Sequence, residues 1–392
     1  MTSTLLNLLK LCLVVAVLLV APGWLIAQII YGSSGCSIDT NLLDENYPAM
    51  REWAKAGVEG GIKPAATWRI KRRLSPGDDI QTAVEQAAKK GGGVVLLRKG
   101  IYPVYHTIHL LSNTILRGED KAQVQLHVYV HGTFLRYGGK RTAALHIGKQ
   151  TNVGIENLTI EYKGAAFEPY DKDSMQAAWD IAVYHQREKR DTSLFVDHIW
   201  IDSSKNCWVQ NCNLVKAGCD PMHITRSEHI TCRNNYIDRS YNKNDGGMGY
   251  YNIIGSQYIL ICNEHIRRIR HFAIHIGSQY IVAINNYLEV DINFHDGDNG
   301  NCLVQGNFVR IPRWHSWSAI QRGDPRLHRP PGRDNFLYNN DAMNKDGKMN
   351  ASLKHTVYKM DPDWKGKSTT ASGKPGPKGN TLYPVICNHT NG

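Results

Sequence analysis

Six eight-residue stretches share one pattern of apolar and polar positions. They read VGIENLTI (153–160), CWVQNCNL (207–214), ITCRNNYI (230–237), ILICNEHI (259–266), IVAINNYL (281–288) and CLVQGNFV (302–309). The first, third and eighth columns are small or apolar throughout, and the fifth holds Asn157, Asn211, Asn234, Asn263 and Asn285, then Gly306. Apolar residues two apart turn one face of a short strand inward. The fifth-column steps are 54, 23, 29, 22 and 21 residues. A unit of about 22 residues fits one coil of three short strands in a solenoid, where each coil packs only on its neighbours. An Asn repeated at one turn can stack on its counterpart and bridge backbone groups between coils. A leucine-rich solenoid has a similar period but needs a Leu-dominated consensus, which is absent.

Two steps exceed the unit, with surplus residues near 164–197 and 242–248. Insertions in solenoids become loops, often on the binding face, so these are expected to wall a groove. One helical pattern stands out, over 79–90. Ile80, Val84, Ala87 and Ala88 share a face, Asp78 or Asp79 can cap the start, and Gly91 ends it. Such a helix would cover the solenoid's first coil. It leads into Gly91-Gly92-Gly93-Val94-Val95, then Lys99-Gly100-Ile101-Tyr102, then Asn113-Thr114-Ile115-Leu116-Arg117-Gly118. This run resembles the entry segment of pectin-lyase-like β-helix proteins, and the similarity spans about residues 75–312. The resemblance implies an all-β chain, a single-stranded right-handed parallel β-helix with a short N-terminal capping helix. That fold hosts lyases, hydrolases, epimerases and binding proteins, so the reaction must be argued from the site.

The expected organisation is a signal peptide or membrane anchor over 1–35, an N-terminal extension over 36–74, the β-helix over 75–343, and a flexible basic tail with the C-terminal segment over 344–392. Leu5 to Ile30 is largely apolar, with Lys10 as its one charged side chain. Pro22-Gly23 suits the end of a cleaved signal segment, while the length approaches the ~20 residues of an uncleaved span. Either way the folded part lies outside the cytoplasm, secreted or anchored by that segment. Sequons at Asn157, Asn350 and Asn388 fit this location. Of nine cysteines, eight remain without Cys12, an even number that permits disulfides. Cys207, Cys232, Cys262 and Cys302 fall in the repeat and read as stacked interior thiols. The net charge of +11 is concentrated: 345–380 has eight Lys against three Asp, and 310–333 has six Arg against one Asp. The second cluster is either a solvated loop or a wall for carboxylate or sulfate, which Arg binds bidentately. The partner implied is an anionic polysaccharide and not a nucleic acid. A membrane is engaged only through the N-terminal segment, and the chain is expected to act as a monomer.

Seven positions before the first column stand His146, Trp200, His223, Asn252, Ile274 and His295, with His275 beside Ile274. A one-residue slip in that coil would align His223, His275 and His295 in an outer row, at about 4.8 Å per coil. Asp220-Pro221-Met222-His223 resembles the Asp-Pro-His signature of alginate (mannuronan) C5-epimerases, and Arg270-His271-Phe272 their Arg-His-Gly motif. The resemblance implies catalytic roles for Asp220, His223, Arg270 and His271. Met222 is an insertion, Phe272 replaces Gly, and Ala217 stands where the family has its catalytic Tyr, a role for which Tyr250 or Tyr251 is a candidate. The chemistry is coherent. Removing the C5 proton of a uronate requires neutralising its carboxylate, which Arg270 or an arginine of 310–333 can do. His223 or His271 can act as base near neutral pH, oriented by Asp220. A tyrosine can protonate the departing C4 oxygen, giving a lyase, or the opposite ring face, giving an epimerase.

Further substrate contacts are expected from His275, His295, Asp245, Arg310, Arg313 and His315, and from Trp314 and Trp317 stacking on sugar rings. His295-Asp296-Gly297-Asp298-Asn299-Gly300-Asn301 reads either as a Gly-rich turn or as a calcium site through Asp296 and Asp298, though without the spacing of a calcium loop. Two other readings stay open. One is a polygalacturonase-like glycoside hydrolase, for which His271 to Ser278 echoes that family's Gly-His-Gly segment and Asp220, Asp245 and Asp296 are candidate carboxyls. The paired Asp-Asp motif of those enzymes is missing. The other is a non-catalytic glycan-binding solenoid.

Overall fold

The computed structural model describes residues 31–133, 139–165, 194–242, 248–311, 318–344, 347–348, 355–360 and 370–387. One coil shows the plan. Val282–Ile284 is followed by a turn at Asn285-Asn286, Tyr287–Glu289 by a bend, and Ile292–His295 completes the circuit. The next coil repeats it with Leu303–Gln305, Phe308–Arg310 and Ile320–Arg322, each paired in parallel on its predecessor. Among the described residues the strands form sheets of twelve, nine and eight members. The chain winds as a parallel β-helix. The parallel coils expected from the repeat are present.

The fifth-column residues are turn-formers. Asn157, Asn211, Asn234, Asn263 and Asn285 all have φ between 53° and 57°, and Gly306 has 66°. This left-handed region is costly for most side chains but open to Asn and Gly. Asn211 bonds directly to Asn157, at 2.6 Å. The bridging of backbone between coils, however, is done by the next column. Asn286 donates to the Ile261 carbonyl while its own N–H and side-chain amide are received by Asn307, which stands in the same relation to Asn340. Asn235 donates to the Val209 carbonyl and Glu264 occupies the corresponding place in its coil, accepting from both Asn235 nitrogens. Burial pushes the Glu264 carboxyl up to about 8, against the pull of those donors, so it stands neutral in a ladder of amides.

Inside the coil, Ile155, Val209, Ile261, Ala283 and Val304 stack with Cys207, Cys212, Cys232 and Cys302 in one core. Cys262 departs from the expected interior row. It sits one residue beyond the inward Ile261 and so faces outward. There it joins a second core on the outside of the twelve-stranded sheet, built from Tyr31, Tyr47, Met50, Trp53, Leu260, Phe336, Leu382 and Tyr383. A strap running from Tyr31 to Ile62 thus lies against that sheet. The Cys36–Cys387 disulfide and an antiparallel pairing of Cys36–Ile38 with Val385–Cys387 join it to the C-terminal segment.

The solenoid begins at Ile70–Leu74, earlier than residue 75, because this strand pairs in parallel with Gly93–Leu97. The 10-residue helix Ile80–Lys89 follows. Asp79 accepts from the Thr82 N–H, and Ala83, in place of Ala88, completes the buried face with Ile80, Val84 and Ala87. The stretch read as a flexible tail is partly sheet: Val357–Met360 pairs antiparallel with Asn335–Tyr338, and Thr370–Ala371 with Val357–Met360. Val357, Leu382 and Tyr383 bury enough apolar surface to hold these pieces down despite the lysines between them. Asn157 accepts the Asn211 amide at a turn, outside the flanking strands. The apolar leader, Asn350 and Asn388 lie outside the described residues, as do most of the 164–197 and 242–248 insertions.

Candidate active site

The eight-stranded sheet turns polar side chains outward at every second position. Along Tyr250–Ile254, Tyr251 and Ile253 enter the core while Tyr250 and Asn252 face out. Along His271–His275, Phe272 and Ile274 enter, and His271 and His275 face out. Parallel register then aligns residues from successive coils: Trp200, His223, Asn252, Ala273, Asn293 and Gln321 form one row. Tyr250 lies opposite His271, and His275 opposite His295.

Two imidazole–carboxylate dyads stand on this face. His223 Nδ1 is 2.8 Å from Asp220 Oδ2, and His271 Nδ1 is 2.8 and 2.9 Å from the two oxygens of Asp291. Asp220 Oδ1 also accepts the Tyr250 backbone N–H at 2.8 Å, and Oδ2 the Asn252 amide at 3.3 Å. Asp291 Oδ2 accepts the amides of Asn293 and Gln321. With Nδ1 donating to a carboxylate, each ring presents Nε2 as its acceptor. Asn252 Oδ1 lies 3.2 Å from His275 Nδ1, and the Tyr250 hydroxyl 3.2 Å from His295 Nε2. The Arg270 guanidinium lies over the Tyr250 ring at 5.5 Å. Beside His271 opens a cleft of about 180 Å³, lined by Arg270, His271, Asn293, His295, Gln321, Arg322, Asp324 and His328 among others.

Burial governs the protonation states. It raises the Asp220 carboxyl to about 6, against the pull of Arg141 and the Tyr250 N–H. It drives His223 down to about 3, helped by Arg141, and His275 to about 4, helped by His328. His271 is held well below the ordinary histidine value by burial and by Arg270, and His295 is lowered by burial and by His271. At neutral pH these imidazoles are uncharged, the state a general base requires.

Among solved structures, the chain is similar to an exopolygalacturonase from Thermotoga maritima, with 14% identity over 71% of this chain and 72% of that one and a TM-score of 0.46. It is also similar to an endo-xylogalacturonan hydrolase from Aspergillus tubingensis, with 15% identity over 68% and 72% and a TM-score of 0.45. The A-module of mannuronan C-5 epimerase AlgE6 from Azotobacter vinelandii matches with 16% identity over 62% and 67% and a TM-score of 0.42. Likenesses this distant carry no argument about the reaction. No family model matches the chain, and no curated protein is similar to it.

The structure gathers Asp220, His223, Tyr250, Arg270, His271, His275 and His295 into one contiguous cluster along the outer face of the eight-stranded sheet, the furrow, where Arg270, His271 and His295 line the cleft, and it corrects several expectations. Tyr251 is fully buried in the coil interior, because alternation along its strand gives the outward place to Tyr250. The expected single row of His223, His275 and His295 is two rows: His223 aligns with Asn252, and His275 with His295 two residues further on. Arg310 belongs to the nine-stranded sheet, where it covers the Phe308 ring and pairs with Asp341. Asp296 accepts the Arg329 N–H, and Asp298 accepts Gly300, Gly332 and Asn335 donors, so both serve the turn. Asp245, Arg313, Trp314, His315 and Trp317 lie outside the described residues. Sequence reasoning missed Asp291, Asn293, Gln321 and His328, and reached Arg322 only as one of the arginines of 310–333. Asp291 was within reach, since it lies 20 residues after His271, close to one coil.

Proposed function

We propose that the furrow removes the C5 proton of a uronate unit in an anionic polysaccharide, leading to β-elimination or C5 epimerisation. The observation that carries this reading is the pair of imidazoles, each within hydrogen-bond distance of a buried carboxylate through Nδ1, with the Tyr250 hydroxyl at His295 and arginine side chains lining the cleft beside His271. His271 is the base, because its ring lines the cleft. Arg270 and Arg322 at the same cleft neutralise the substrate carboxylate, which lowers the cost of charge building at C5. The C5–H electrons then either form the C4=C5 double bond as the C4–O bond breaks, with Tyr250 protonating the departing oxygen, or take back a proton on the opposite face. Glycoside hydrolysis is served less well, since it needs two carboxyl groups turned to the scissile bond. Asp220 and Asp291 are instead turned into hydrogen bonds with imidazole, amide and backbone N–H groups, which leaves Asp324 as the one carboxyl among the residues lining the cleft. The Cys36–Cys387 disulfide supports an oxidising compartment, outside the cytoplasm, where such polymers occur.

The test is a panel of alginate, pectate, glucuronan and glycosaminoglycans. Unsaturated uronate, seen by ultraviolet absorbance, or solvent deuterium incorporated at C5 is expected with at least one polymer. New reducing ends without either signal would favour the hydrolase and sink this reading.

A further inference from the structure

Asp220 is the hub of the furrow. It receives His223, the Tyr250 N–H and the Asn252 amide, and Asn252 in turn holds His275. Yet the residue is fully buried, where an isolated carboxylate would give up its charge. Behind it lies a cation from two coils earlier. Arg141 Nη1 is 2.6 Å from Asp197 Oδ2 and 3.7 Å from Asp220 Oδ2, with its side chain 15% exposed. The Asp220 N–H donates to Asp197 Oδ1 at 3.1 Å. Cys219, Asp197 and Asp220 would on residue type alone suit a metal ion. The guanidinium already supplies positive charge there.

We propose that Arg141 is a positioning residue of this site: its guanidinium keeps Asp220 ionised, and the ionised carboxylate holds His223 with its proton on Nδ1 and fixes Tyr250 and Asn252 at the furrow. The inference rests on reading the furrow as the reactive site. The groups facing Asp220 are Arg141, Asp197, Cys219 and His223, with Asp202 and Arg226 beyond His223. When the dyad takes up a proton, either Asp220 carries it and donates to Nδ1, or His223 becomes imidazolium. In both states Nε2 bears hydrogen and is no longer an acceptor, and in the first Tyr250 and Asn252 also lose a charged partner.

Two substitutions move this equilibrium in opposite directions. Arg141→Gln removes the opposing charge, and the acid limb of kcat/KM is expected to rise by about 1–3 pH units, the usual effect of a close opposite charge. Asp197→Asn leaves the guanidinium to Asp220 alone and removes a neighbouring negative charge, so the limb is expected to fall. Nitrogen NMR of His223 gives a readout independent of turnover: Nδ1–H in the parent at pH 7, and Nε2–H in Arg141→Gln. A limb and a tautomer unchanged in folded Arg141→Gln, with only a lower Tm, would overturn the proposal. If Arg141→Gln does not fold, Asp197→Asn decides, and an unmoved or raised limb overturns it. Should no polymer be turned over, the proposed function fails while the NMR result still decides the role of Arg141.

Discussion

His271 and His223 are almost wholly covered, at 3% and 2% exposure, so their chemistry depends on what touches them. His271→Ala is expected to lower kcat/KM by about 10²–10⁴, the usual worth of a positioned base. Asp291→Asn should lower it too, through the wrong tautomer, with the KM of the competent fraction little changed. Steady-state kinetics on the polymer found active checks both. In the parent, kcat/KM should decline as pH falls through about 6, where Asp220 takes up its proton. Stability shares that acid sensitivity for a separate reason. The folded values of His223, His271 and His295 lie below that of an unfolded histidine. The unfolded chain therefore binds more protons, and stability that is complete above about 6.5 is lost as pH falls towards the folded values. Much of this site was legible. Asp220-Pro221-Met222-His223 and Arg270-His271 stood out by motif, and Ile253 marks Tyr251 as inward by its spacing of two. His328 was not legible, because it lies after the last strand of its sheet, in a segment with no repeat to place it.

At the scale of the element, the turn between strands divides two jobs that the sequence shows as adjacent asparagines. The first, as in Asn285, takes the left-handed conformation, and the second, as in Asn286, ties neighbouring coils. The column was visible from spacing alone. Which of two neighbouring amides points inward depends on the turn geometry, which spacing does not encode. Asn286→Ala should cost about 1–3 kcal/mol by leaving buried backbone groups unpaired, measured by denaturant unfolding. Glu264 is the variant rung. Its folded value of about 8 lies above its unfolded one, so its contribution is complete below about 4.5 and is lost as pH rises through about 8. Glu264→Gln is expected to flatten the fall of Tm between pH 5 and 8, and an unchanged slope would show that another group is responsible.

For the whole molecule, the strap and the C-terminal segment cover one sheet while another carries the furrow. The Cys36–Cys387 link joins positions 351 residues apart. Removing it by Cys36→Ser with Cys387→Ser should lower stability by roughly 2–4 kcal/mol and hasten proteolysis near 370–387, while kcat/KM holds. Loss of activity in a protein still folded would tie the clamp to the furrow. The sequence pattern missed this layer because residues 31–62 and 382–387 carry no repeat, and their apolar side chains meet only after the chain has closed on itself.

The furrow draws its side chains from separate coils, with the Tyr250 strand between those of His223 and His271. The stack therefore works as a ruler graduated in whole turns. Point substitutions can exchange the groups on the scale but cannot slide one imidazole towards the other. Only gaining or losing a complete circuit of about 22 residues would reset their separation, by roughly 4.8 Å, so the pitch matched to the substrate should change in jumps.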